Sequence, residues 1–171
     1  LSDALFVLPD EPSDTDLYSL VQLAQIMGQV NDGFGFMPQV QFDSTIDEDT
    51  FSDYQVIAVG LPSTNSLITA YNEALPQPFL LGENALGQIR GDISYQLPPE
   101  FSLGVIEYMP APWGEKRPFI VVSGTTDEGL GWAADALAHG ELDGSLDGNL
   151  TFVQDAFIES FDLISPKEIA A

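Results

Sequence analysis

Apolar residues fall in short runs separated by stretches rich in Pro, Gly, Asp and Ser. Three runs are uninterrupted: Ala4-Leu5-Phe6-Val7-Leu8, Val56-Ile57-Ala58-Val59 and Phe119-Ile120-Val121-Val122-Ser123. Such runs predict strands buried on both faces, as in the middle of a parallel sheet. Between the first two the period changes. Ser13 and Asp16 have the spacing of a capping box, and Leu17, Leu20, Val21, Ala24 and Met27 recur as one face of a helix, with a stop near Gly28. Asn31 to Gly35 predicts a turn, Gln39 to Phe42 an edge strand, and Asp43 to Asp53 an acidic loop. Pro62 to Asn65 leads into a second helix carrying Leu67, Ile68, Tyr71 and Leu75 and closed by Pro76.

The middle of the chain breaks this rhythm. Ile93 to Leu97 alternates, Pro98-Pro99 turns, and Leu103 to Met109 alternates again, which predicts a hairpin or an antiparallel insertion. Pro110 to Pro118 is a loop. Thr125-Thr126-Asp127-Glu128 has the form of a second capping box before a helix with Leu130, Ala133, Ala134 and Leu137 on its buried stripe and Gly140 as its stop. Leu150 to Val153 reads as the last strand. The expectation is an α/β fold with a largely parallel central sheet, helices on its faces and an antiparallel hairpin insertion. Residues 1–164 would form one domain and 165–171 a linker or tail.

Composition narrows the function. The 171 residues fit a single domain. With 27 acidic residues against 4 basic ones the net charge is −23, so the surface repels phosphate backbones and anionic lipid; nucleic acid is excluded as a partner. The absence of Cys removes thiolate catalysis and Cys-based metal centres. No apolar run approaches the ~18 residues of a membrane span. The start at Leu1, without Met or a signal pattern, predicts a fragment or processed product. The acid-rich, Lys-poor composition suits a secreted or salt-exposed surface.

Candidate chemistry is sparse. Pro9-Asp10-Glu11-Pro12-Ser13-Asp14 follows the first strand, where parallel α/β folds bind phosphate, but its prolines and three acids oppose an anion, so no flavin or nucleotide cofactor is expected there. Ser123-Gly124-Thr125-Thr126-Asp127-Glu128-Gly129 lacks the Lys and glycine spacing of a phosphate loop and reads as a structural cap. His139, the single histidine, suits a helix C-terminus. No pair of carboxylates stands out for glycoside hydrolysis. Asp143-Gly144-Ser145-Leu146-Asp147-Gly148 matches the first half of a calcium loop, but the twelfth position is Gln154, and tight Asp/Gly turns account for it equally. Trp113, between Pro112 and Gly114, is the candidate glycan or partner contact, with the neighbouring bases Lys116 and Arg117; the alternative is that its ring packs over the sheet edge. No catalytic, cofactor-binding or metal-binding residue is assigned.

Taken together, Phe119 to Leu130 with Ala133-Ala134 and Leu137, the opening Leu8-Pro9-Asp10-Glu11-Pro12-Ser13, the strand Val56 to Gly60 followed by Pro62 and Asn65, and Gly148-Asn149-Leu150 with Val153 resemble the bacterial cellulose synthase regulatory subunit family. The resemblance implies a flavodoxin-like three-layer sandwich, one non-catalytic domain of a membrane-anchored extracytoplasmic protein. Its partners would be carbohydrate-binding sandwich domains, the catalytic synthase subunit and the exported polysaccharide. The family pattern carries over no catalytic residue. A cell-surface or S-layer-type α/β module shares several of these motifs and is the alternative; a flavin or nucleotide enzyme ranks below both.

Overall fold

The computed structural model describes residues 4–30, 37–46, 48–80, 82–90, 93–98, 100–113, 117–143 and 146–163. The turn expected at Asn31 to Gly35 and the tail at 165–171 lie outside them. The elements run β1 (Ala4–Leu8), α1 (Asp14–Val30), β2 (Gln39–Phe42), β3 (Gln55–Val59), α2 (Ser66–Ala70), β4 (Gly87–Arg90), β5 (Ile93–Gln96), β6 (Gly104–Pro110), β7 (Pro118–Gly124), α3 (Asp127–Asp143), β8 (Leu150–Gln154) and β9 (Phe157–Phe161). Among the described residues, seven strands form one mixed sheet in the order β2-β1-β3-β7-β6-β8-β9, and β4 and β5 form a separate pair. The four strands from β2 to β7 are mutually parallel, and the three pairings beyond β7 are antiparallel.

The three apolar runs are β1, β3 and β7, adjacent in the sheet and covered on both faces. Leu5, Val7, Val56, Ala58, Phe119 and Val121 face one layer, which holds α2 residues Leu67 and Ile68 together with Phe51, Leu75, Phe79 and Leu86. Ala4, Phe6, Leu8, Ile57, Val59 and Val122 face α1 and α3 through Leu23, Leu130, Ala133 and Ala134. Alternation along a strand thus supplies two cores, one per face.

Several expectations are corrected. Ile93–Gln96 pairs with Gly87–Arg90 and not with the segment after Pro98-Pro99. Gly104–Pro110 instead enters the main sheet between β7 and β8, because both of its faces are apolar enough to be buried. Leu150–Gln154 is not the last strand: a two-residue turn, with Asp155 at φ 53°, returns the chain as β9. The second helix is one short turn, Ser66–Ala70, followed by a 3₁₀ turn at Asn72–Ala74. Helix α3 runs through Gly140 to Asp143, and α1 passes Gly28 to Val30. No helix of the described residues is long and apolar enough to cross a membrane.

Candidate functional site

In parallel α/β sheets ligands gather beyond the carboxyl ends of the strands, where the strand order reverses. Here β1 connects through α1 to β2 on one side, while β3 lies on the other, so the reversal falls between β1 and β3. Six backbone N–H groups around this crevice, of Ser13, Asp16, Ser44, Ser66, Leu67 and Ile68, donate to side chains of the chain itself. At α1 the expected capping box is present: Asp16 N–H donates to Ser13 Oγ at 3.1 Å, and Ser13 N–H donates to Asp16 Oδ2 at 2.8 Å. Burial raises the Asp16 pKa above its ordinary value, against the opposing Ser13 hydrogen bonds. At α2, Ser66 N–H donates to Asp43 Oδ2 at 2.5 Å. Ser44 holds exposed Asp10 below the ordinary carboxylate range by donating from its hydroxyl and backbone N–H.

Asn65 ties this end of the sheet together. It is fully buried, its Nδ2 donates to the carbonyls of Val7 and Val59 at 3.1 and 3.0 Å, and its Oδ1 accepts from Leu67 and Ile68 N–H. One side chain therefore joins β1, β3 and the first turn of α2. Asn65→Ala removes a cap and strips two buried carbonyls of their partner. The expected loss is about 2–4 kcal/mol, read by denaturant unfolding. Asn65→Asp keeps the cap but sets a carboxylate oxygen against two carbonyls, so it is expected not to rescue.

The Ser123–Gly129 loop is a packing joint. The cap of α3 is Thr126, not Thr125: Gly129 N–H donates to Thr126 Oγ1 at 3.2 Å, which places Gly129 rather than Glu128 at the third helical position and leaves no reciprocal box. Thr125 Oγ1 instead donates to Phe101 O and accepts from Leu103 N–H, fixing the approach to β6. A Cβ on Gly129 would stand 2.4 Å from Leu103 O, so this glycine serves the close seating of helix on strand.

Of the candidate contact residues, Trp113 and Arg117 fall among the described ones. The Trp113 ring lies among Phe51, Tyr71 and Phe119, with centroids 4.5, 5.4 and 5.3 Å away. Its packing is against these three rings, over β7 in the middle of the sheet and not over an edge strand. Arg117 donates from its guanidinium to Asp53 O at 2.6 Å. Lys116 lies outside the described residues. His139 is exposed, with Nδ1 2.8 Å from Asp135 O, one turn before the helix ends. Of the candidate calcium loop, Gly144, Ser145 and the Asp143 side chain lie outside the described residues, among which no group of three or more His, Asp or Glu is placed to hold a metal.

The residue with the most altered chemistry is one that sequence reasoning passed over. Glu107, in the middle of β6, is 1% exposed. It lies between Val105 and Met109 on its own strand and opposite Val121 and Leu150 on the neighbouring ones. Its Oε1 accepts the Gln77 backbone N–H at 2.7 Å, while Oε2 has no partner among the described residues. Burial drives its pKa from the ordinary 4.5 up to about 8, and the Gln77 hydrogen bond offsets only part of this. Burial thus favours the protonated, neutral form of Glu107 at pH 7. Beside it a cleft of about 550 Å³ opens between Gln77, Leu86 and Leu97 on one side and Phe101, Leu103 and Phe152 on the other. A second cavity, about 250 Å³, lies between the helices and the opposite sheet face, against Leu23, Met27, Ile57, Ile106, Ile120 and Leu137. Among the described residues that line this cleft, none is an acid or a nucleophile. No protein-family model and no curated protein matches this chain.

Proposed function

We propose that the chain is a non-catalytic, flavodoxin-like α/β module of the cellulose synthase regulatory subunit type. It would serve outside the cytoplasm as a scaffold between carbohydrate-binding domains and the synthase while exopolysaccharide is exported. The observation that carries the non-catalytic half is the filling of the switch-point crevice by Ser13, Asp16, Asp43 and Asn65. These side chains take the backbone donors on which a flavin or nucleotide phosphate would depend. The family half is supported by the run from Phe119 through Leu137 and by the strand–Pro62–Asn65 motif, whose Asn is the buried tie described above.

Two measurements test the two halves separately. Titration with FMN and with ATP, followed by fluorescence, is expected to show no binding at micromolar concentration; saturable binding overturns the non-catalytic reading. Deletion of the coding segment in its own organism is expected to abolish glucanase-sensitive extracellular polysaccharide; unchanged polysaccharide overturns the family reading.

A further inference from the structure

The Glu107 carboxyl joins the sheet interior to the start of the crossover that runs from Gln77 through β4 and β5 to Leu97. The charged residues of the neighbouring elements are exposed: Glu159, on the same sheet face but two strands away on β9, and Glu73 and Glu100 on the segments above it. β7 and β8 contain no charged residue, and Tyr108 next to it on β6 points to the opposite face. On the crossover Glu83 is exposed and accepts from Gln96 Nε2 at 2.9 Å; the Arg90 side chain lies outside the described residues. An ionised carboxylate here has one N–H donor and no counter-charge among the described residues, so it must draw in water to persist.

We propose that Glu107 is a protonation-controlled latch: as a neutral acid it lets the 77–97 crossover pack on the sheet, and on ionisation it opens that packing while the seven-stranded sheet stays folded. The opening falls on the crossover for two reasons. β4 and β5 pair only with each other among the described residues, so the crossover is held to the sheet by side chains, Phe79 and Leu86 in the core and Asn72 bonded to Phe79, and not by a shared strand ladder. β6, by contrast, is held on both sides by β7 and β8. Regions with few shared backbone bonds open before the core does. Gln77, whose N–H holds the carboxyl, also lines the cleft between Leu86 and Phe152, so loosening of the crossover there would admit water to Glu107. The device is a pH-dependent change in the cleft's own wall, in whichever assembly the domain serves.

Two measurements on the intact chain test it. The side-chain carboxyl carbon of Glu107, followed by NMR, is expected to titrate with a midpoint at about 8. Amide hydrogen exchange, corrected for its intrinsic pH dependence, is expected to accelerate roughly tenfold or more across residues 77–97 over the same range, with β1, β3 and β7 still protected. Glu107→Gln is expected to abolish the acceleration. A midpoint in the ordinary carboxylate range, unchanged exchange at 77–97, or simultaneous loss of protection throughout the sheet would each overturn the latch. The titration and exchange of the unaltered chain give these outcomes even if the variant fails to fold.

Discussion

Glu107→Gln is expected to raise the melting temperature at pH 7 by roughly 6–12 °C and to flatten its pH dependence. The folded-state pKa is about 8, against an ordinary 4.5. Below the lower value the carboxyl is protonated in both folded and unfolded chains, and the Glu107 stability contribution is fully present. Between the two, the unfolded chain ionises while the folded chain does not, and stability falls by about 1.4 kcal/mol per pH unit. By pH 7 the accumulated loss is about 3 kcal/mol, and above about pH 8 it levels off. Glutamine keeps an oxygen for the Gln77 N–H and cannot ionise, so it escapes the loss. The variant and the natural chain should converge near pH 4.5 and separate steadily as pH rises. The raised pKa of Asp16 and the general repulsion of a −23 chain act in the same direction. Acid stabilisation of the natural chain should therefore persist, weakened, in the variant. A variant whose melting temperature tracks the natural chain across this range would mean that Glu107 ionises freely in the fold.

What could be read from the sequence divides along physical lines. β1, β3 and β7 were legible because a strand covered on both faces has no choice but to be apolar throughout, and the Ser13–Asp16 box because its bonds are local. β4 was not, since Gly87-Gln88-Ile89-Arg90 offers a single apolar side chain and no alternating pattern. β9 was hidden by its turn: Asp155 takes a positive φ without the Gly or Asn that usually announces one. Glu107 did leave a trace. It is the only charged residue in a strand whose Val105, Ile106 and Met109 are apolar on both faces, but one carboxylate among 27 draws no notice until burial is known. The crevice was legible in part. The acids of the first loop argued against phosphate, yet their role there depends on Asp43 and Asn65, brought alongside from distant parts of the chain only by the fold.

Trp113→Ala is expected to destabilise the domain by about 3 kcal/mol, the lower end for loss of a core aromatic because the ring is half-buried. Phe51 comes from the acidic loop, Tyr71 from the end of α2 and Phe119 from β7, so the indole is where three separate segments meet. Its Nε1 is buried without a partner among the described residues, so truncation breaks no hydrogen bond there; the cost is packing alone. Trp113→Phe, which retains ring contacts and drops the unpaired N–H, is expected to cost under about 1.5 kcal/mol. Indole fluorescence should not respond to cello-oligosaccharides at millimolar concentration, since the ring's neighbours are protein rings. The opposite pattern would restore Trp113 as a glycan contact: stability within about 0.5 kcal/mol of the natural chain, together with a saturable fluorescence change lost in the alanine variant. Arg117 provides a control, because its guanidinium is committed to Asp53 O. Arg117→Ala should loosen the loop that positions Trp113 and reproduce part of the Trp113→Ala destabilisation, whereas a glycan-contacting arginine would change binding and leave stability alone.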